Sequence, residues 1–181
     1  MSIDNQTSYS ILFMPSFVIT LFGEIVSKPL MTTIATEWNN SLTKFKKVII
    51  KILTLLAAAT MFIICAGHFI GRILLELIYG VDLSSLKLEF VLLLLGGGIS
   101  AAAYFLYNVL IAIRHEKCII FVYVLTAICM TIVGYVLVQM KGMIGAAITY
   151  VLSCTVLSCS FIVLLIYFMC KRKQSLRMNM D

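Results

Sequence analysis

The sequence predicts an all-α, polytopic membrane protein, a bundle of about five transmembrane helices. Hydrophobic residues make up 62% of the 181 residues and charged residues only 12%, a composition outside that of soluble globular domains. Five apolar stretches are long enough to cross a bilayer core, which takes about 20 residues of α-helix. Basic residues gather in the short links between these stretches, as they do in the cytoplasmic loops of membrane proteins.

The five apolar stretches give the predicted helices in chain order. Because their links are short, consecutive helices are expected to pack as antiparallel neighbours. The bundle occupies residues 1–170 and a basic tail occupies 171–181. The predicted spans are Ile11 to Ile34, Val48 to Phe69 with a continuation to Tyr79, Phe90 to Ile113, Cys118 to Met140, and Ile144 to Met169. The first and second spans are separated by a polar link, Ala35 to Thr43. The second and third spans are separated by a nearly neutral loop, Val81 to Glu89.

Three basic clusters predict the orientation of the bundle. They hold ten of the fourteen Lys and Arg residues: Lys44, Lys46, Lys47 and Lys51; the turn Arg114 to Lys117; and Lys171, Arg172, Lys173 and Arg177. Placing all three in the cytoplasm puts Met1 outside the cell and the tail inside. The charge therefore indicates topology, and without interleaved aromatic residues it does not predict nucleic-acid binding. Five spans and an external N-terminus also predict that the chain is the second part of a larger transporter.

The sequence offers no pattern typical of an enzyme or of a metal site. Six cysteines lie in or beside apolar stretches without C-x-x-C spacing or a histidine at ligand spacing, so they are expected to be free thiols. No phosphate-binding glycine loop and no nucleophile with a neighbouring base is found. We expect no catalysis and no cofactor.

Glu24 and Lys28 lie inside the first predicted span, where each charge costs about 2.5 to 3.5 kcal/mol near the bilayer centre. At 100° per residue they belong to a polar stripe composed of Ser16, Thr20, Gly23, Glu24, Ser27 and Lys28. The opposite, apolar face is predicted to hold Phe13, Val18, Leu21, Phe22 and Ile25. The polar stripe must face protein or a water-filled cavity. The alternative is an i, i+4 ion pair in which Lys28 extends toward the cytoplasm.

Two further features of the apolar stretches bear on function. Pro29 lacks a backbone donor, so it marks either a hinge or a helix boundary near the cytoplasmic side. In the third span, the small residues from Gly96 to Ala103 allow close helix packing or, alternatively, bending. Tyr104 and Asn108 continue that face, and they either hydrogen-bond between helices or contact a substrate.

Four segments of the chain resemble the C-terminal part of the oligosaccharide flippases, the polysaccharide biosynthesis proteins related to multidrug and toxin extrusion transporters. They are Met14-Pro15-Ser16-Phe17 with Lys28-Pro29-Leu30; Leu77-Ile78-Tyr79-Gly80; Asn108-Val109-Leu110-Ile111-Ala112 before the turn Arg114 to Lys117; and Gly142-Met143-Ile144-Gly145-Ala146-Ala147. The resemblance implies two six-helix bundles around a central cavity, of which this chain would supply helices eight to twelve. Its implied partners are the missing N-terminal half, membrane lipids and a lipid-linked oligosaccharide.

The resemblance implies translocation of a polyprenyl-pyrophosphate-linked oligosaccharide across the cell membrane by alternating access. Lys28 is then the expected contact for the pyrophosphate, and Glu24 would tune that charge or couple an ion. Two alternatives stay open: a drug or cation antiporter of the same superfamily, in which Glu24 binds the coupling ion, and a truncated membrane protein that does not transport.

Overall fold

The computed structural model describes residues 3–67, 77, 86–114 and 116–178, and it contains helices without a strand over those residues. The helices are α1 (Ile3–Ser27), a 3-10 turn (Lys28–Leu30), α2 (Met31–Asn40), α3 (Leu42–Ala66), α4 (Lys87–Ala112) and α5 (Glu116–Met178). The predicted continuation of the second span to Tyr79 lies outside the described residues except for Leu77. Residues Val81 to Ser85 of the predicted loop Val81 to Glu89 also lie outside the described residues.

Pro29 ends the first long helix, as its missing N–H donor predicts. The α-helical hydrogen bonding of α1 stops at Ser27, and a single 3-10 turn leads into α2. The predicted polar link Ala35 to Thr43 is largely helical, because α2 continues to Asn40 and extended backbone occurs only at Ser41, directly before α3. Ile34 is fully buried and Trp38, four residues later, packs on the same cluster. This i, i+4 apolar pair stabilises helix through a polar sequence.

Helix α4 is the centre of the bundle and packs against α1, α2, α3 and α5. Its buried apolar residues belong to two clusters at its opposite ends. Phe90, Leu93 and Leu94 join the first cluster with residues of α1 and α5. The second cluster contains Phe105 and Leu110 and extends to α3 and to both ends of α5. The middle of α4 therefore lies between two apolar cores, and there the side chains are small or polar.

Helix α5 reverses direction at Gly142, whose backbone has φ 57° and ψ −126°. The residues on either side of this point contact each other in antiparallel order. A Cβ at Gly134 would lie 2.9 Å from Thr149 Cγ2, Gly145 abuts the Leu137 carbonyl, and the rings of Tyr123 and Phe161 are 5.5 Å apart. Glycine suits this conformation because its φ is positive and it carries no Cβ. The break lies between the spans predicted to end at Met140 and to begin at Ile144.

The surface of the bundle is apolar, which indicates a membrane-embedded protein. Among the described residues, four helical stretches are long and apolar enough to cross a bilayer: Gln6–Asn40, which includes the 3-10 turn, Leu42–Ala66, Lys87–Ala112, and Glu116–Gln174, which includes the reversal at Gly142. Large apolar side chains cover their outer faces, with Phe62 75% exposed and Phe121 69% exposed. The predicted all-helical membrane fold is confirmed at this level.

The described basic clusters lie together at one end of the bundle. Phe45, beside Lys44, belongs to the same buried cluster as Ile113, beside Arg114, and Phe168, near Arg172. The Arg172 guanidinium also donates a hydrogen bond of 3.2 Å to the Asn39 carbonyl. We call this the basic end.

Candidate functional site

The polar stripe of α1 faces α4, so of the two environments that the sequence allowed, protein or a water-filled cavity, most of the stripe meets protein. Ser16, Gly23 and Ser27 are buried, whereas Val18 and Ile25 on the opposite face are more than 60% exposed. Gly23 meets Ala101, and a Cβ at Gly23 would lie 2.6 Å from that residue's Cβ. The small residues of both helices therefore bring α1 and α4 into close contact and cover most of the stripe with protein.

The assignment of Phe13 to the apolar, outward face is wrong. Phe13 is partly buried and packs edge-on against Tyr150 with ring centroids 5.1 Å apart. It precedes Thr20 by seven residues, which is nearly two full helical turns, so both residues lie on the same side of α1. Phe13 therefore continues the stripe toward the N-terminus of α1 as an aromatic contact to α5.

Thr20 connects α1 to α4 through backbone oxygens. Its hydroxyl donates to the Ser16 carbonyl at 3.2 Å and lies 3.5 Å from the Gly97 carbonyl across the helix interface. Thr20 therefore takes part in the packing of the two helices. Its contact with the Gly97 carbonyl is at the upper limit of hydrogen-bond distance.

Glu24 and Lys28 form an ion pair, with 2.8 Å between the Lys28 Nζ and Glu24 Oε1. The Tyr104 phenol of α4 lies near the same carboxylate. The Glu24 side chain is 28% exposed and that of Lys28 is 66% exposed. The pair thus lies at the rim of the α1–α4 interface, with Tyr104 on one side and an open surface on the other, where Lys28 can reach an anion.

A row of aromatic rings continues from this pair across three helical segments. The rings of Tyr104 and Tyr107 are 5.7 Å apart, those of Tyr107 and Tyr123 are 6.0 Å apart, and Tyr123 contacts Phe161. Tyrosine offers an apolar face and a polar hydroxyl. The sequence pattern gave no indication that Tyr107 and Tyr123, which are 16 residues apart, would contact each other.

Asn108 is separated from the ion pair, although the sequence predicts it on the same face of α4 as Tyr104. It is 7% exposed, and its Nδ2 has no hydrogen-bond partner among the described residues. The predicted interhelical hydrogen bond from this nitrogen is therefore not found over that part of the chain. The structure brings together Thr20, Glu24, Lys28 and Tyr104 along one interface and leaves Asn108 one turn beyond them.

A second group of hydroxyls, whose member in α5 sequence reasoning missed, joins three helices in the middle of the bundle. The Ser16 hydroxyl donates to the Tyr150 hydroxyl at 3.3 Å, and the hydroxyls of Ser100 and Thr20 lie near that phenol. We call Ser16, Thr20, Ser100 and Tyr150 the hydroxyl cluster. The sequence contains one indication that Tyr150, the member of this cluster in α5, is buried. Ala147, Tyr150 and Cys154 follow the three- and four-residue spacing of a buried helix face.

The described residues offer no metal site, since they contain no group of three His, Cys, Asp or Glu side chains placed to hold an ion. All six cysteines are free thiols, and four of them are exposed on the apolar surface of the bundle. The candidate site therefore consists of one positive and one negative charge beside aromatic rings in an apolar helical bundle.

The fold and this site define a helical, membrane-embedded protein with an ion pair at the rim of a helix interface. Comparison of the chain with protein-family models, with curated proteins and with solved structures finds no match in any of the three.

Proposed function

We propose that the chain forms one wall of a membrane flippase that translocates a polyprenyl-pyrophosphate-linked oligosaccharide for cell-surface polysaccharide assembly. The observation that supports this most directly is the Glu24–Lys28 pair, which lies beside Tyr104 at the rim of the α1–α4 interface. A charge near the centre of a bilayer is costly and usually marks a transport pathway.

Lys28 would bind the pyrophosphate in this function. In the unloaded bundle its charge is neutralised by Glu24 at 2.8 Å, which lowers the cost of burying either group. An arriving pyrophosphate would compete with the Glu24 carboxylate for the same ammonium group. Tyr107 and Tyr123, with their apolar ring faces and polar hydroxyls, are suited to contact the sugars that follow the pyrophosphate.

The proposed topology has five spans, with the N-terminus outside and the tail in the cytoplasm. The clustering of Lys44, Arg114 and Arg172 at one end supports it, because the positive-inside rule requires basic residues on one side of the membrane. The reversal at Gly142 supports counting α5 as two crossings, since its halves pack in antiparallel order.

Alternating access would move the substrate without a covalent step, driven by the different affinities of two facing states. A cavity between two walls requires a second bundle, so we propose that a partner bundle, the N-terminal half of the transporter, faces α1 and α4. Pro29 and the 3-10 turn after Ser27 provide a position where α1 would bend when the transporter changes between its two facing states.

Two other functions each have one feature in their favour. A partly exposed Glu24 favours a drug or cation antiporter, where that carboxylate would bind the coupling ion. The complete charge neutralisation within the pair favours a structural membrane protein that does not transport. Translocation driven by a cation gradient would support the first, and a lack of any transport even when the partner bundle is present would support the second.

Complementation of a flippase-deficient bacterial strain tests the proposal. The genomic DNA upstream of the first codon should be read for an in-frame seven-helix segment, and the chain expressed with and without that segment. Restored export of glycan when both parts are present supports a two-bundle flippase. Restored export by the 181-residue chain alone would contradict the need for a partner bundle, and failure of both would contradict the flippase function.

A further inference from the structure

A groove of about 280 Å³ opens on the surface of the bundle between α3 and the part of α5 after Gly142. Leu106 of α4 lies at its floor, and apolar side chains form both walls. It is lined by Lys46, Ile49, Ile50, Leu53, Leu106, Ile162, Leu165, Ile166 and Met169. Lys46 is the charged residue of this lining and lies in the first turns of α3.

A second cation, Lys173, lies just beyond the lining residues of the opposite wall, at the same end. Lys173 follows Met169 by four residues on α5, so the two residues share one face of the helix. Both Lys46 and Lys173 are exposed, and neither forms an ion pair with a carboxylate from the part of the chain that the structure describes. The neighbouring Arg172 is engaged elsewhere, with its guanidinium 4.5 Å from the Trp38 ring.

The groove starts at the basic end and extends into the hydrophobic depth of the bundle. Lys46 and Leu53 are seven residues apart, a rise of roughly 10 Å along α3. That is about one third of the 30 Å thickness of a bilayer core. A molecule that fits this shape has an anionic group at the membrane surface and a hydrocarbon chain below it.

We propose that this groove binds an anionic phospholipid from the leaflet at the basic end. The phosphate lies between Lys46 and Lys173, and one acyl chain lies along Ile50, Leu53 and Ile166. Selectivity comes from the two charges, because an apolar groove gains little by exchanging one lipid chain for another. Basic residues beside grooves between transmembrane helices are known to recognise anionic headgroups in this way. This site is independent of transport and lies away from the Glu24–Lys28 pair.

Native mass spectrometry of the purified full chain tests the site, with dioleoyl-phosphatidylglycerol and dioleoyl-phosphatidylcholine added separately to the detergent. The wild type should retain one phosphatidylglycerol in strong preference to phosphatidylcholine. The Lys46→Gln, Lys173→Gln variant should lose affinity roughly 25-fold, since each surface cation contributes about a factor of five. The matched control is Lys47→Gln, Lys171→Gln, which removes the same charge from exposed positions outside the groove.

A groove-filling variant separates binding of the acyl chain in the groove from simple charge attraction of the headgroup. Ile50→Trp keeps every charge and places a large ring at a wall position that is already 61% exposed, so the fold should tolerate it. It should lower phosphatidylglycerol retention while leaving the elution volume of the protein unchanged. Equal losses in the two double variants, equal retention of both lipids, or undiminished binding by Ile50→Trp would each overturn the proposal.

Discussion

Gly97 of α4 and Ser16 of α1 pack backbone against backbone. A Cβ at Gly97 would lie 2.6 Å from the Ser16 Oγ and 2.7 Å from its carbonyl oxygen. This contact lies between the two apolar clusters, at the level where Thr20 and Tyr150 also meet. It fixes how closely α1 approaches α4 and therefore where Glu24 lies relative to Tyr104.

Substitution of Gly97 by alanine should destabilise the bundle by about 1–3 kcal/mol, because the added methyl group must displace the α1 backbone. Reversible unfolding in mixed micelles of sodium dodecyl sulfate measures this. Ala58→Val, which adds apolar volume at an exposed position of α3, serves as the control and should change stability little. A Gly97→Ala variant as stable as the wild type would show that the helices are not in contact here.

The hydroxyl cluster should show direct coupling between Ser16 and Tyr150. Their hydroxyls are 3.3 Å apart, and hydrogen bonds between transmembrane helices average about 0.6 kcal/mol in double-mutant cycles. The cycle of Ser16→Ala and Tyr150→Phe should therefore give a coupling free energy of about that size. Tyr135→Phe, at a ring that is 68% exposed, is the control. Strictly additive effects would mean that the two residues do not interact.

Arg172 should hold the end of α5 against the C-terminal end of α2. Its guanidinium lies over the Trp38 ring and donates to the Asn39 carbonyl, and a cation–π contact at an exposed site contributes about 0.5–1 kcal/mol. Arg172→Gln should change the emission of Trp38, the single tryptophan of the chain. Lys171→Gln should leave that emission unchanged. Identical spectra for both variants and the wild type would exclude the contact.

Topology can be measured by labelling single cysteines in a variant that lacks the six native ones. Gln6 and Asn40 are exposed positions near the two ends of the first membrane stretch. With the basic end in the cytoplasm, an impermeant thiol reagent should label Gln6→Cys in intact cells and Asn40→Cys after the membrane is opened. The reverse pattern would invert the proposed orientation.

Much of the α1–α4 interface was predictable because a helix has a fixed angular period. The spacing of Ser16, Gly23 and Ser27 predicts one buried face, and the run from Gly96 to Gly98 predicts the close approach of a neighbour. Pro29 predicts the end of α1 through its missing donor. The same period, correctly applied, also places Phe13 on the buried side.

Other parts of the site depend on contacts between residues far apart in the sequence. Tyr150 is 134 residues from Ser16, so no local pattern pairs them. The length of α2 depends on Ile34 and Trp38 packing into a cluster built by α3, α4 and α5, which overrides the polar composition of that segment. The lack of a partner for Asn108 Nδ2 likewise depends on which atoms surround it, not on its helical phase.

The charge of Lys28 tests the central claim most directly. Lys28→Arg keeps a cation that can bind pyrophosphate, whereas Lys28→Ala removes it and leaves Glu24 without its partner. Surface polysaccharide should be measured in a flippase-deficient strain expressing each variant with the partner bundle, normalised to the amount of protein in the membrane. The proposed function predicts that Lys28→Ala lowers export at least several-fold and that Lys28→Arg keeps most of it. Equal export by both variants would contradict a role for Lys28 in substrate binding and leave the ion pair a structural feature of α1.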